Sequence, residues 1–173
     1  MSTAEIWSIA SSCVTVIGFT VVIFTAIIAL RQFKEMIKSR HMEGLINVYE
    51  LMGNEQARID RYHIYNKLKK DPEKISLDDW KCIQRVSTSF DKIGLLVKAG
   101  LVPKKELLES HYEVFIRSWI KLEPYIKNYR KQIGGRHVNH FEELANEAKN
   151  YHQENFPNVE LKIIKVEKDF KGK

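Results

Sequence analysis

Residues 6–30 form a run of 25 positions that contains no Asp, Glu, Lys or Arg. At about 1.5 Å per residue, an α-helix of this length reaches about 37 Å. The hydrocarbon core of a bilayer is about 30 Å thick, so such a helix can cross it with some tilt. The run therefore predicts a transmembrane anchor over residues 1–30. We expect a helical domain over residues 31–157 and a C-terminal tail over residues 158–173.

A cleaved signal peptide is the main alternative for this run. Signal peptides begin with a basic segment and carry an apolar stretch of about 7–15 residues. Here the first five residues, MSTAE, include no Lys or Arg, and the apolar run is longer. Both differences favour an anchor that is retained in the mature protein.

The charges that flank the run predict its orientation. Four basic residues follow it, opposed only by Glu35: Arg31, Lys34, Lys38 and Arg40. Basic flanks stay on the cytoplasmic side of a membrane. We therefore expect the N-terminus to lie outside and the domain to lie in the cytoplasm. Trp7 is then expected to anchor the outer end of the helix at the interface.

The composition gives no indication of a nucleic acid, a metal ion or a cofactor as a ligand. The chain has 173 residues and a net charge of +6. Part of this positive excess lies beside the anchor, where anionic lipids attract it, and the rest is dispersed among acidic residues. We therefore expect the lipid bilayer as a partner and do not expect nucleic acid. The two cysteines, Cys13 and Cys82, and the histidines lack the spacing of a zinc site. We expect no metal and no cofactor.

Apolar residues at helical spacing predict an all-α domain, a bundle of about five helices. The first helix should continue from the anchor to Gly53. The second, over about residues 55–70, should turn Ile59, Tyr62, Tyr65 and Leu68 inward. Ser76 should cap the third helix, and Pro124 should kink or interrupt the fourth.

A motif in the third and fourth helices points to a family. The segment 90–130 contains FDxIGLLVxxGLVP, then WIKLEPYI, and then Arg130. It resembles a family of small bacterial proteins of unknown function that have one N-terminal membrane helix and a helical cytosolic domain. The resemblance implies an inner-membrane location in a bacterium and implies no activity. Asp91 of the motif lies beside an apolar stripe, and we expect it to pair with Arg85, Arg117 or Arg130.

Arg58 and His63 form the sharpest catalytic candidate. Their spacing resembles the motif of the HEPN ribonucleases, which are also helical bundles. The resemblance implies that His63 is a general base and that Arg58 binds the phosphate. Ile59 departs from the polar residue that usually follows the Arg, and the motif lies on an early helix instead of a late one. The alternative is an ordinary surface arginine and a histidine on a helix face.

Two further features carry hypotheses. Arg136, His137 and His140 precede or begin the fifth helix, where free backbone N–H groups bind anions. A solvated helix start explains the same residues. Within the anchor, Ala4, Ser8 and Ser12 recur every four residues, as small residues do at close helix–helix contacts.

These features lead to one expected function and two alternatives. We expect a non-enzymatic, membrane-anchored interaction or regulatory module in a homo-oligomer or in a complex with another membrane protein. The first alternative is a membrane-tethered HEPN-like ribonuclease. The second is an effector whose oligomerised spans depolarise the cell.

Overall fold

The computed structural model describes residues 3–68 and 71–161, and within residues 3–14 it describes only the side chains of Thr3 and Trp7. This part of the chain forms five α-helices and contains no strand. The predicted all-α architecture is confirmed. The helices are α1 (Thr3–Gly53), α2 (Glu55–Asn66), α3 (Leu77–Lys98), α4 (Lys104–Ile133) and α5 (Asn139–Asn155).

The chain divides into two compact units, Met1–Arg40 and His41–Lys173, and the division falls inside α1. In the first unit, α1 is long and apolar enough to cross a bilayer, by length and composition. Its large side chains are exposed, including Phe19 and Phe24, each 67% exposed. The predicted boundary at residue 30 marks a change of hydropathy, whereas the division after Arg40 marks a change of packing. The predicted tail begins inside the described chain, but residues 162–173 lie outside it.

The core of the second unit forms where α5 packs against both α3 and α4. Four aromatic side chains lie at its centre, with ring centroids 5.0–5.4 Å apart: Phe90, Phe115, Trp119 and Phe141. Val48 and Met52 from the last turns of α1 join this core. Edge-to-face and tilted ring packing of this kind adds about 0.5–1.5 kcal/mol per pair beyond simple burial.

The ends of the helices follow local rules that the sequence carries. Ser76 caps α3 in a capping box with Asp79, as predicted. Gly100 follows α3 with a φ of 69°, and Gly134 caps α4 with a φ of 64°. This left-handed conformation favours glycine because the residue has no Cβ.

The predicted inward face of α2 is wrong for Ile59 and Tyr62 and correct for Tyr65 and Leu68, which pack against the core. The fully buried residues of α2 are Asp60 and Ile64, whereas Ile59 is 52% exposed and Tyr62 is also exposed. The helix is rotated so that the Asp60 carboxylate meets Arg85 of α3. Apolar periodicity alone did not indicate this face because an ion pair determines it.

The predicted interruption at Pro124 is also wrong, because α4 runs unbroken through it. Proline removes one backbone hydrogen bond and usually destabilises a helix interior. Here Trp119 and Leu122 before the proline, and Tyr125 and Ile126 after it, are all buried. Packing on both sides holds the two halves of α4 in one helix.

Candidate functional site

An ion pair between the buried Asp60 and the half-exposed Arg85 joins α2 to α3. Arg85 donates from Nε to Asp60 Oδ2 and from Nη2 to Asp60 Oδ1, both at 2.7 Å. Asp60 is 2% exposed, and its Oδ1 also accepts from Gln56 at 2.9 Å and from the Cys82 thiol at 3.4 Å. Burial alone would raise the pKa of Asp60, but these hydrogen bonds, the one from Arg85 above all, lower it below its ordinary value.

A second cation, Arg61, lies close by in a different environment. Its Nη2 donates to the Met52 carbonyl at the end of α1 at 2.6 Å. Burial lowers the pKa of Arg61, although the group stays charged near neutral pH. Within residues 3–68 and 71–161, no carboxylate lies within ion-pair distance of Arg61. Its positive charge is therefore only partly compensated.

A cavity of about 460 Å³ opens beside these two arginines, between α2, α3 and the end of α1. Its polar lining includes Gln56, Arg61, Arg85, Thr88, Ser89 and Lys92. Asp60 also lines it, and the half-buried side chains of Leu51 and Ala57 supply apolar surface. No feature of the sequence predicted this cavity, because its walls come from helices whose relative rotation was unknown.

His63 belongs to a separate cluster. Its Nε2 lies 2.5 Å from Asp79 Oδ1, and the Ser76 hydroxyl donates to Asp79 Oδ2 at 2.7 Å. The hydrogen bond to His63, followed by that from Ser76, lowers the pKa of Asp79. His63 is thus a histidine oriented by a carboxylate, an arrangement that general bases also use.

The structure does not place Arg58 on the same face of α2 as His63. Five helical steps of about 100° separate the two residues, which leaves them roughly 140° apart around the axis. Arg58 is exposed and lies near enough to Arg61 to lower the pKa of that group. The proposed catalytic pair remains a prediction.

The start of α5 already holds a carboxylate. Asp91 of α3 accepts hydrogen bonds at Oδ1 from the backbone N–H of His140 at 2.8 Å and of Phe141 at 3.1 Å. The ion pair that was expected for Asp91 does not form in the described part of the chain. An internal side chain fills the position in which a bound anion was predicted.

The three residues of the predicted anion site lie in different environments. Arg136 is exposed, whereas His137 packs its ring against Tyr129, with centroids 5.1 Å apart. Burial lowers the pKa of His137, Asp91 opposes this shift and Arg130 adds to it, so the charged form of the side chain is disfavoured. His140 Nδ1 lies 3.5 Å from a carboxylate oxygen of Glu143. The anion site remains a prediction, although its electrostatic basis is weakened.

Arg130 of α4 also contacts residues around the start of α5. It donates to the His137 carbonyl at 2.8 Å, to Glu142 at 2.6 Å and to Asn139 at 3.3 Å. Gly94 also lies at this junction, because a Cβ on it would collide with the backbone carbonyl of His140. Three residues of the sequence motif, Asp91, Gly94 and Arg130, therefore fix the start of α5 against α3 and α4.

The comparison with known families gives one match. A family described as a domain of unknown function, DUF4760, matches residues 12–148, which is well over half of the chain. The chain belongs to the DUF4760 family. The matched region includes much of the apolar part of α1 and the whole motif that fixes α5. No curated protein and no solved structure matches the chain significantly.

The remaining predicted residues lie in the first unit. Arg31, Lys34, Lys38 and Arg40 are all exposed on α1, and Trp7 is 77% exposed. The side chains of Ala4, Ser8 and Ser12 lie outside the described residues. Over the described ranges, no group of three His, Cys, Asp or Glu side chains is arranged to hold a metal ion.

Proposed function

We propose that the protein is a membrane-anchored helical module that acts by binding partners and does not catalyse a reaction. One observation carries the proposal. The apolar part of α1 exposes its large side chains all around the helix, including Phe19, Ile23 and Phe24. A helix that is apolar on every side is stable when it is buried in protein or in lipid.

The continuity of α1 supports a retained anchor over a cleaved signal peptide. The helix runs without a break from Thr3 to Gly53, and its last turns place Val48 and Met52 in the core. A cleavage site would have to lie within this continuous helix. The basic flank after the apolar run supports a cytoplasmic location for the domain and an external N-terminus in a bacterial inner membrane.

An exposed apolar stripe on the domain supports a role in binding. Met42, Ile46 and Tyr49 are 54%, 52% and 51% exposed, and their spacing places them on one face of α1. We propose that a second copy of the chain covers this face in a homo-oligomer. Exposed apolar groups at helical spacing are the usual seam between paired helices.

Extraction and labelling of native membranes test the anchor and its orientation. The full-length chain should remain in the membrane pellet after alkaline carbonate treatment. A cysteine introduced at Ser2 should react with an impermeant maleimide from outside the cell, and one introduced at Lys131 should react only after lysis. Release by carbonate, or the reverse labelling pattern, would refute the corresponding part of the proposal.

The mass of the full-length chain in nanodiscs tests the oligomer. We expect a closed oligomer for the wild type and a smaller species for Met42→Glu/Ile46→Glu, because charge on both positions opposes pairing. Glu43→Gln on the same stretch of α1 is the matched control. A monomer in the wild type would contradict self-association and leave another membrane protein as the partner.

A ribonuclease is the second candidate function, and the 2.5 Å contact between His63 and Asp79 favours it. The carboxylate fixes one ring nitrogen of His63 and leaves Nδ1 to accept a proton. Cleavage of single-stranded RNA by the wild type, lost in His63→Ala, would support this reading.

A further inference from the structure

The cavity between α2 and α3 carries more positive than negative charge. Three basic side chains line it, Arg61, Arg85 and Lys92, against the single carboxylate of Asp60. Asp60 already accepts two hydrogen bonds from Arg85 and further ones from Gln56 and Cys82. Since that carboxylate is fully engaged, the cavity attracts anions and repels cations.

Arg61 adds a charge at the cavity wall that is only partly compensated. Its guanidinium is bound to the Met52 carbonyl through one nitrogen, and no carboxylate forms an ion pair with it in the described chain. Burial is the main cause of the lowered pKa of Arg61, and the opposing effects of Tyr65 and Asp60 do not cancel it, so desolvation of this cation is unfavourable. An anion in the cavity would remove this penalty.

One face of α3 completes the donor set. Arg85, Thr88, Ser89 and Lys92 line the cavity at the helical spacing i, i+3, i+4 and i+7. Arg85 uses Nε and Nη2 for Asp60, so its Nη1 is free to donate. The hydroxyl groups of Thr88 and Ser89 make no hydrogen bond within residues 3–68 and 71–161, and Lys92 forms no ion pair there. Several donors therefore converge on one volume.

We propose that this cavity binds a small phosphorylated molecule, with Arg61, Arg85 and Lys92 holding its phosphate and the apolar side chains of Leu51 and Ala57 in the lining contacting the remainder. The volume of about 460 Å³ falls within the range of small-molecule sites. Guanidinium and ammonium groups are the usual protein donors to phosphate. Through this site the domain would bind a soluble ligand. The residues of the site do not belong to the membrane anchor.

Calorimetric titration of the full-length chain in phosphatidylcholine nanodiscs tests the site, with pyrophosphate as the probe at constant ionic strength. We expect saturable binding by the wild type. Lys92→Gln should weaken it about fivefold to tenfold, because one charge contact is lost. Lys131→Gln, which removes an equally exposed lysine from α4, should bind as the wild type does. Neither change touches the core, so both variants should fold.

Arg61→Gln gives a second and stronger variant, since it removes the partly buried cation and should abolish measurable binding. Its circular dichroism spectrum and unfolding midpoint report whether the fold is kept. No saturable heat from the wild type, or equal affinities in Lys92→Gln and the wild type, would overturn the proposal.

A change of the nanodisc lipid tests whether the bound phosphate belongs to a soluble molecule or to a lipid headgroup. Nanodiscs that contain phosphatidylglycerol should leave the affinity for pyrophosphate unchanged. Competition by that lipid, seen in the wild type and absent in Lys92→Gln, would assign the site to a lipid headgroup and overturn the soluble ligand. Carbonate extraction does not involve Lys92, so failure of this site and failure of the anchor are distinguishable.

Discussion

The carboxylate of Asp91 caps the helix that begins beside His140. Its Oδ1 lies 2.8 Å from the His140 backbone nitrogen, across the contact between α3 and α5. The first N–H groups of a helix have no partner inside the helix, and a negative charge there also stabilises the helix dipole. A residue nearly fifty positions away in sequence thus accepts the hydrogen bonds that a local N-cap residue usually accepts.

Removal of this distant cap should destabilise the domain. We expect Asp91→Ala to lower the free energy of unfolding by about 1–3 kcal/mol, because two backbone donors lose a charged acceptor. Glu154→Ala, at an exposed position on α5, should change it by less than about 0.5 kcal/mol. Urea denaturation of both variants measures the difference. Equal stability of the two would contradict the capping role.

The two glycines Gly94 and Gly53 should respond in opposite ways to alanine. A Cβ at Gly94 collides with the His140 carbonyl, and this backbone group can move only if α5 shifts. We expect a loss of about 2 kcal/mol or more. Gly53, in the last turn of α1, has nothing within 4 Å of the added Cβ. Alanine there should be neutral or stabilising by up to about 1 kcal/mol.

Thermal or urea unfolding measures the stability of the two alanine variants. The Gly94 variant reports on the close contact between α3 and α5, and the Gly53 variant reports on helix propensity alone. If both substitutions stabilised the chain, α5 would not rest against α3 at Gly94.

The Asp60–Arg85 pair should make stability depend on acidity. The folded pKa of Asp60 lies below its ordinary value of 3.8, so its contribution is complete above that pH and disappears as the pH falls below it. Asp60→Asn should therefore lower the free energy of unfolding at pH 7 by about 1–2 kcal/mol, since solvent screens the 47% exposed Arg85, and by less at pH 3. Urea titrations at both pH values measure the two differences. A stability difference between the wild type and Asp60→Asn that stays constant with pH would contradict a charged pair.

The ribonuclease hypothesis predicts a simple pattern of loss. If the wild type cleaves single-stranded RNA, His63→Ala and Arg58→Ala should each reduce the rate at least about 100-fold, the scale of general acid–base catalysis. His41→Ala, another histidine of the domain, should cleave normally. Circular dichroism checks that His63→Ala keeps its fold without the contact to Asp79. Absence of cleavage by the wild type would remove this function.

The effector hypothesis predicts a dependence on Ser8 and Ser12. Replacing both with Leu should prevent the close helix–helix approach that small residues allow and so abolish depolarisation of cells that express the chain. A voltage-sensitive dye reports the membrane potential. Ser39→Leu, beyond the apolar run, is the control. Unchanged depolarisation in the double variant would exclude this face as the mechanism.

Several features were predictable because they depend on neighbouring residues. The capping box of Ser76 with Asp79 and the glycine after α3 follow from local backbone chemistry. The buried faces of α3, α4 and α5 follow from long apolar stripes at helical spacing. On α4, Tyr112 and Tyr129 are only half-buried.

Other features depend on which helices meet. The short helix α2 has few apolar residues, so its face was decided by one ion pair, Asp60 with Arg85, between residues far apart in sequence. The partner of Asp91 was missed for the same reason, since backbone N–H groups of α5 leave no mark in the side-chain pattern. Arg130 was named as a possible partner, and it lies at the correct junction with a different set of acceptors.

By itself, the sequence determined an all-α chain with one apolar helix long enough to cross a bilayer, because hydropathy and helical period are properties of contiguous residues. Only the tertiary structure decided which polar groups meet. It brought Asp60 to Arg85, Asp91 to the start of α5, and Arg61, Arg85 and Lys92 to one cavity. Those contacts depend on the rotation of each helix about its axis, and packing of the whole domain sets that rotation.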